Sequence, residues 1–159
     1  MGNAAQEGAE AQQDDLEPVE TTVALPDEGQ SIADARHLAA AFLDRVRADR
    51  LLDISQRTVE LTQLVVSELV TNARKYAPGP ILLRLRILAA MLEISVWDSA
   101  PDFPVAKTAD PGRMGQHGLE IVMAIAHKVD VQREPVGKRV TAHLALDSGS
   151  DSPPAGSAA

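Results

Sequence analysis

One helix-compatible run of this chain carries side chains whose types and spacing suit a metal-bound phosphate. In SELVTNARKYA, Glu68 and Asn72 are four residues apart, and Lys75 follows Asn72 by three. Residues at these spacings share one face of an α-helix. A carboxylate, an amide and an ammonium would therefore lie together on an otherwise apolar helix, an arrangement that favours a polar ligand over plain core packing.

A second stretch, GRMGQHGLEIV, begins about forty residues later and is rich in glycine. Gly112, Gly115 and Gly118 come before an apolar run that starts at Leu119. Glycine allows backbone N–H groups to approach a phosphate, and the N-terminus of the helix that follows adds partial positive charge. Arg113 and His117 could neutralise further phosphate charge, although a solvated loop would have the same composition.

Helices and strands of alternating kind must position these residues. Strands are predicted at 21–25, ILLRLRIL, MLEISVW, KVDVQRE and KRVTAHLAL, with Ala89-Ala90 joining the second and third strands as a hairpin. Helices are predicted from Ser31 to about residue 48, from Gln56 to Tyr76, and from Gly118 to Ala126, with a loop at 49–55. This order predicts an α+β sandwich with helices on one face of a mixed or antiparallel sheet.

The composition limits both the core and the location of the protein. Hydrophobic residues make up 45% of the chain, but there are only two Phe, one Tyr and one Trp, so the core should be aliphatic. The chain has no cysteine, which excludes disulfides and Cys-based zinc sites. With no visible secretory signal and no apolar run of membrane-spanning length, we expect a cytoplasmic protein that does not enter a membrane.

The net charge of −8 is concentrated at the ends of the chain. Of the 23 acids, six lie in residues 1–20 and two in 147–159, and the remainder balance the 15 Lys and Arg. We therefore predict an acidic disordered tail at 1–20, a folded domain at 21–146 and a second disordered tail at 147–159. A formally neutral domain without clustered bases argues against direct binding of nucleic acid.

Taken together, these motifs resemble the GHKL ATPase superfamily. The resemblance rests on Glu-x-x-x-Asn in a helix, an Asp that ends a strand, a glycine-bearing loop before a helix, and a Gly-Lys-x-Val-Thr strand, and it covers roughly residues 22–146. It implies a two-layer sandwich with a mixed, mostly antiparallel sheet. The segment SELVTNA and the length of the chain most closely resemble those of the bacterial anti-sigma-factor serine/threonine kinases.

The resemblance also implies roles for individual residues around ATP and Mg²⁺. Glu68 matches the family's general base and Asn72 its magnesium ligand, while Asp98 matches the carboxylate that accepts a hydrogen bond from adenine. Further nucleotide contacts are implied at positions in the helix end, the two loops and the last strand: Lys75, Tyr76, Ala100, Arg113, Gly115, His117, Gly118, Leu119 and Thr141.

Two departures leave a second interpretation open. Anti-sigma kinases usually carry His where this chain has Tyr76, and Ala100 and Asp102 replace the usual glycines after Asp98. The kinase interpretation implies a homodimer that phosphorylates a small anti-anti-sigma (STAS-type) partner and holds a sigma factor, with Phe42 and Val46 of the first helix as a candidate interaction surface. The alternatives are a non-catalytic protein-binding switch whose ATP binding is structural or lost, and a nucleotide-free structural domain.

Overall fold

The computed structural model describes residues 18–26, 31–50, 52–76, 79–99 and 114–146. The elements follow in chain order: β1 (Val19–Leu25), α1 (Ser31–Arg50), α2 (Gln56–Tyr76), β2 (Ile81–Leu88), β3 (Met91–Asp98), α3 (Met114–Ile125), β4 (Lys128–Arg133) and β5 (Lys138–Ala145). The order of strands and helices predicted from sequence is confirmed, and the fold is α+β.

The five strands form one sheet in the order β1-β2-β3-β5-β4. Every neighbouring pair in it is antiparallel. The resemblance implied a mixed, mostly antiparallel sheet, but in the described residues the sheet is entirely antiparallel. The chain leaves β3 in the middle of the sheet, returns through α3 to the edge strand β4, and then inserts β5 between β4 and β3. This route places the ends of β3 and β5 side by side.

Strict alternation divides the sheet into an apolar face and a polar face. Ile81, Leu83, Leu85 and Ile87 of β2 are buried, whereas Arg84 and Arg86 between them are half-buried on the opposite side. All three helices pack against the apolar face. The core is aliphatic as predicted, and Phe42 is the only aromatic side chain within it in the described part of the chain.

The first helix differs from the prediction in two respects. It continues to Arg50, so it takes in the first two residues of the predicted loop at 49–55. Phe42 and Val46, predicted as an interaction surface, are each 2% exposed and belong to the core. Both side chains face this domain's own sheet, and a partner cannot reach them.

The starts of α3 and β1 also differ from the predicted boundaries. The structure begins α3 at Met114, four residues before the predicted start, so Gly115 lies within the helix rather than in a loop before it, and Gly118 lies in the second turn. Strand β1 begins at Val19, inside the predicted tail of residues 1–20. The rest of that tail, residues 1–17, and the tail at 147–159 lie outside the described residues.

The β2–β3 hairpin turns through Ala89 and Ala90, as predicted. Both residues have left-handed φ angles, 53° and 63°, which is the conformation of a two-residue type I′ turn. The carbonyl of Ala90 accepts a hydrogen bond of 2.9 Å from the backbone N–H of Leu146, which attaches the turn to the end of β5. None of the helices in the described ranges is long and apolar enough to cross a bilayer.

Candidate functional site

Helix α2 carries Asn72 on its buried side. The helix begins where the Ser55 hydroxyl accepts a hydrogen bond of 3.1 Å from the backbone N–H of Thr58, a cap of the type that satisfies free N–H groups of the first turn. From there a stripe at helical spacing runs through Val65 and Leu69 to Asn72, which is 4% exposed. An amide therefore ends an otherwise apolar stripe, beside the sheet.

Glu68 lies one turn before Asn72 and faces α3. A Cβ built on Gly118 would lie 3.1 Å from Oε2 of Glu68, so the backbone of α3 passes directly against this carboxylate. Only glycine permits that approach without displacing the Glu68 side chain. The structure thus brings together three predicted site residues, Glu68, Asn72 and Gly118, from two segments that are far apart in sequence.

Asp98, the last residue of β3, is not open to solvent. It is paired in register with Lys138, the first residue of β5. The Lys138 ammonium donates a hydrogen bond to Oδ2 of Asp98, and both side chains are only 1% exposed. The carboxylate expected to read adenine therefore already contacts a buried cation. This buried ion pair was not predicted from the sequence.

The turn before β5 brings these two strands unusually close. Gly137 has a φ of +79°, and a Cβ on it would lie 1.7 Å from the backbone oxygen of Asp98. No side chain fits at this position unless the backbone moves. Gly137 therefore allows the start of β5 to press against the end of β3, which is where Lys138 reaches Asp98.

Thr141 lies on the other side of the sheet from this pair. Its hydroxyl is 2.9 Å from the hydroxyl of Ser95 on the face opposite the helices. Alternation along β5 explains the difference, because Lys138 shares the buried face of Val140 and Ala142, whereas Thr141 shares the outer face of Arg139 and His143. Thr141 therefore lies on the opposite face of the sheet from Asp98 and from the helices that carry Glu68 and Asn72.

The remaining predicted residues are distributed around α2 and α3. Lys75 is exposed in the last turn of α2, and Leu119 is half-buried in α3. Tyr76 ends α2, and Gly115 and His117 lie in the first turns of α3, but the side chains of Tyr76 and His117 are outside the described part. Ala100 and Arg113 lie outside the described residues altogether.

The chemistry at Asn72 suits a magnesium nucleotide, whereas the pairing of Asp98 with Lys138 departs from what the resemblance implied. Among the described residues there is no cluster of three or more His, Asp or Glu that could hold a metal. A magnesium ion here would depend on the amide oxygen of Asn72 together with the ligand's own phosphates and water, a common arrangement for Mg²⁺. Lys138 already donates a hydrogen bond to Oδ2 of Asp98, the carboxylate to which the resemblance assigned the base.

Comparison with known families identifies the family of this chain. A family model described as the histidine kinase-like ATPase domain matches residues 25–144. The chain belongs to this family. The match extends from the last residue of β1 into the final residues of β5, so this histidine kinase-like ATPase domain includes Glu68, Asn72, Asp98 and Lys138.

Two solved structures show similarity to the ATPase domain. The RsbU and RsbW domains of Rv1364c from Mycobacterium tuberculosis match with a TM-score of 0.59 and 14% identity, covering 80% of this chain, which spans 32% of that one. The histidine kinase domain from Erythrobacter litoralis EL346 blue-light activated histidine kinase matches with a TM-score of 0.48 and 20% identity, covering 70% of this chain and 62% of that one. At these identities the first similarity is one of fold. No curated protein matches the sequence.

Lys138 is the site residue that sequence reasoning missed. The Gly-Lys-Arg-Val-Thr segment was recognised, but its threonine was chosen as the functional residue. A period-two pattern was present, since Lys138 precedes Val140, Ala142 and Leu144 at intervals of two. That pattern places Lys138 on the core face. It was overlooked because lysine is rarely fully buried unless it is paired.

Proposed function

We propose that this ATPase domain is a cytoplasmic regulatory kinase of the anti-sigma type, which transfers the γ-phosphoryl group of ATP to a serine or threonine of a small partner protein. The observation that carries the proposal is the convergence of Glu68, Asn72 and Gly118 at the α2–α3 contact. By resemblance, the partner is an anti-anti-sigma (STAS-type) protein, the domain acts as a homodimer, and it also holds a sigma factor.

Glu68 is the proposed general base. Half-buried beside the backbone of α3, its carboxylate can take the proton of an incoming hydroxyl without being fully solvated. The hydroxyl oxygen then forms a bond to the γ-phosphorus, the bond from that phosphorus to the β–γ bridging oxygen breaks, and ADP leaves with the electron pair. Positioning and electrostatics account for most of the rate in such transfers.

Asn72 is the proposed metal ligand. Its buried amide offers a neutral, hard oxygen next to Glu68. Magnesium, when bound, neutralises charge on the phosphates. Gly118 keeps the backbone of α3 close to Glu68, one turn before Asn72. Lys75, exposed at the end of α2, supplies a cation that can reach phosphate oxygens.

The metal assignment is tested by calorimetry with ATP in the presence and absence of Mg²⁺. Asn72→Ala should lower the affinity for Mg·ATP by about tenfold or more, because a metal ligand is removed while the helix is kept. Thr71→Ala, at the exposed neighbouring position of the same helix, is the matched control and should bind like wild type. Equal binding by Asn72→Ala and Thr71→Ala would refute the role of Asn72.

The transfer step needs a separate assay with labelled ATP and candidate anti-anti-sigma proteins. Glu68→Gln keeps the size of the side chain but cannot accept the proton, so it should bind ATP normally and transfer label at least about 100-fold more slowly. If wild-type protein binds ATP but labels no candidate partner, the kinase proposal fails.

A second candidate function is favoured by the Asp98–Lys138 pair. A carboxylate that is held by a buried ammonium is a poorer acceptor for a base, so the domain could act as a protein-binding switch in which nucleotide binding is structural or lost. Calorimetry and the transfer assay together separate the two functions. Absence of heat with millimolar ATP and Mg²⁺ favours a domain that has lost nucleotide binding. Saturable binding without label transfer favours a switch with structural ATP, and saturable binding with label transfer favours the kinase.

A further inference from the structure

The face of the sheet that the helices leave uncovered carries an arginine-lined groove. The side chains on this face form rows across the strands, because residues paired in register lie beside one another. Strand β2 contributes Arg84 and Arg86 to these rows, and β5 contributes Arg139. Together with Thr141 and His143, these arginines line a cavity of about 460 Å³. We call this surface the outer groove. The proposed kinase chemistry does not use it.

Two of the arginines that line the groove contact Trp97, the only tryptophan of the chain. The guanidinium carbons of Arg84 and Arg139 lie 5.0 Å and 5.4 Å from the centre of its ring, within the range of a cation–π contact. The indole N–H donates a hydrogen bond of 3.3 Å to Glu134. Two cations are thus stacked on one ring, which holds their side chains against the sheet.

Several donors in the groove have no acceptor within the described part of the chain. The Nε atoms of Arg84, Arg86 and Arg139 are each buried and make no hydrogen bond there, although a terminal nitrogen of Arg139 donates to Gln132 and Nε of Arg86 lies 3.9 Å from a carboxylate oxygen of Glu20. A guanidinium fork is suited to a carboxylate, which can accept from two N–H groups at once. The groove therefore fits a ligand that brings several anionic oxygens.

The acidic residues that line the groove do not pair with all of these arginines. Glu93 and Asp130 flank His143, at 3.9 Å and 3.3 Å from its ring nitrogens, and Lys128 lies 3.6 Å from Asp130. These carboxylates form no ion pair with the stacked arginines in the described part of the chain, although Glu93 lies directly opposite Arg86 in the strand register. They also make the groove unattractive to a uniformly charged polyanion such as nucleic acid.

We propose that the acidic segment at residues 1–17 docks in the outer groove. This segment contains five acids and no basic residue: Glu7, Glu10, Asp14, Asp15 and Glu17. Its charge complements the arginines. It joins the fold at β1, where Glu20 already lies on the outer face, 3.9 Å from Nε of Arg86. The ion pair of Glu20 is the first contact of a series that the preceding acids continue.

Chain length and tethering both permit this docking. Seventeen residues can span up to about 55 Å, whereas five strands are only about 19 Å from first to last. A tethered segment also acts at an effective concentration in the millimolar range. Exposed ion pairs are individually weak, so tethering gives this segment an advantage over a free acidic peptide.

The single tryptophan and the lack of cysteine provide a direct test. A nitroxide attached to Ala11→Cys in the full-length chain should broaden the indole N–H resonance of Trp97 in NMR spectra at low salt. The same label at Ala155→Cys, in the C-terminal segment, is the position control and should broaden it much less. Because screening weakens exposed pairs, the broadening from residue 11 should be lost near 1 M salt.

Two variant backgrounds decide the outcome. In the first, the five acids of the segment become Gln or Asn, a change that leaves every described residue intact. In the second, Arg84→Gln and Arg139→Gln remove the stacked cations, with the unfolding temperature measured to verify the fold. Broadening that is lost in both backgrounds supports docking. Broadening that is equal with natural and neutralised segments, or absent in the natural chain, overturns it.

Discussion

At the scale of single residues, Lys138 and Asp98 form the most deeply buried ion pair among the described residues. Removing two charges from water costs free energy that their mutual attraction must offset, and this requires good geometry and further partners. Both residues have additional interactions beyond the one they share, which is consistent with that requirement. The pair joins the end of β3 to the start of β5, so its first consequence is for stability.

We predict that Lys138→Met lowers the free energy of unfolding by about 3 kcal/mol, because it leaves the buried Asp98 carboxylate without its cation. The double variant Asp98→Asn with Lys138→Met should recover much of that loss, since neither charge remains. Urea denaturation of the two single variants and the double variant forms a double-mutant cycle. If the double variant is as unstable as the sum of the single variants, the two side chains are not coupled.

The same pair shows what sequence reasoning could and could not supply for individual residues. The i, i+4 spacing of Glu68 and Asn72 was enough to place them on one helix face. The partner of Asp98 was not accessible in that way, because it depends on β5 inserting beside β3, and an insertion from 40 residues away leaves no local signature. Strand alternation could have identified Lys138 as core-facing, but not what it faces.

At the scale of elements, the β2–β3 turn conflicts with its own sequence. Type I′ turns require positive φ at both central residues and favour Asn-Gly, yet both positions here are alanine. A left-handed φ costs an L-residue about 1–2 kcal/mol. The strands are held in register by their buried faces, so packing on the helices overrides the poor turn chemistry.

Replacing Ala89-Ala90 by Asn-Gly should therefore raise the free energy of unfolding by about 1 kcal/mol, because both residues tolerate the left-handed conformation. Ala90→Val provides the opposite control, since a β-branched residue is strongly disfavoured at positive φ. Thermal unfolding of the three proteins should rank Asn-Gly above wild type and wild type above Ala90→Val. Equal unfolding temperatures would mean that the turn strain is relieved elsewhere.

Element boundaries were predicted well where periodicity was strong and poorly where glycine occurred. The strands and α2 follow from alternation and helical spacing, and α2, predicted from about Gln56 to Tyr76, spans Gln56–Tyr76. The start of α3 was placed four residues late, because Gly115 was interpreted as part of a loop. Packing against α2 offsets the low helix propensity of glycine here, and such a tertiary effect cannot be read from a local window.

At the scale of the whole molecule, one aliphatic core joins the two layers. Buried residues of α1 and α2 contact the buried faces of β2 and β3 in a single cluster, and α3 closes over α2 and the β4–β5 end. Neither layer has a second core of its own in the described residues. A sheet that loses its helices would expose Leu83, Leu85 and Ile94 together, so the layers should unfold as one unit.

Two native probes report on opposite sides of this architecture. Trp97 lies on the outer face of the sheet, whereas the helices that dominate circular dichroism at 222 nm lie on the inner face. We predict that Trp97 fluorescence and helical circular dichroism give coincident urea transitions, with equal midpoints and slopes. A helical signal that melts before the fluorescence would show that the sheet persists alone. That result would mean that side chains on the outer face, including the arginines stacked on Trp97, stabilise the sheet independently of the shared core.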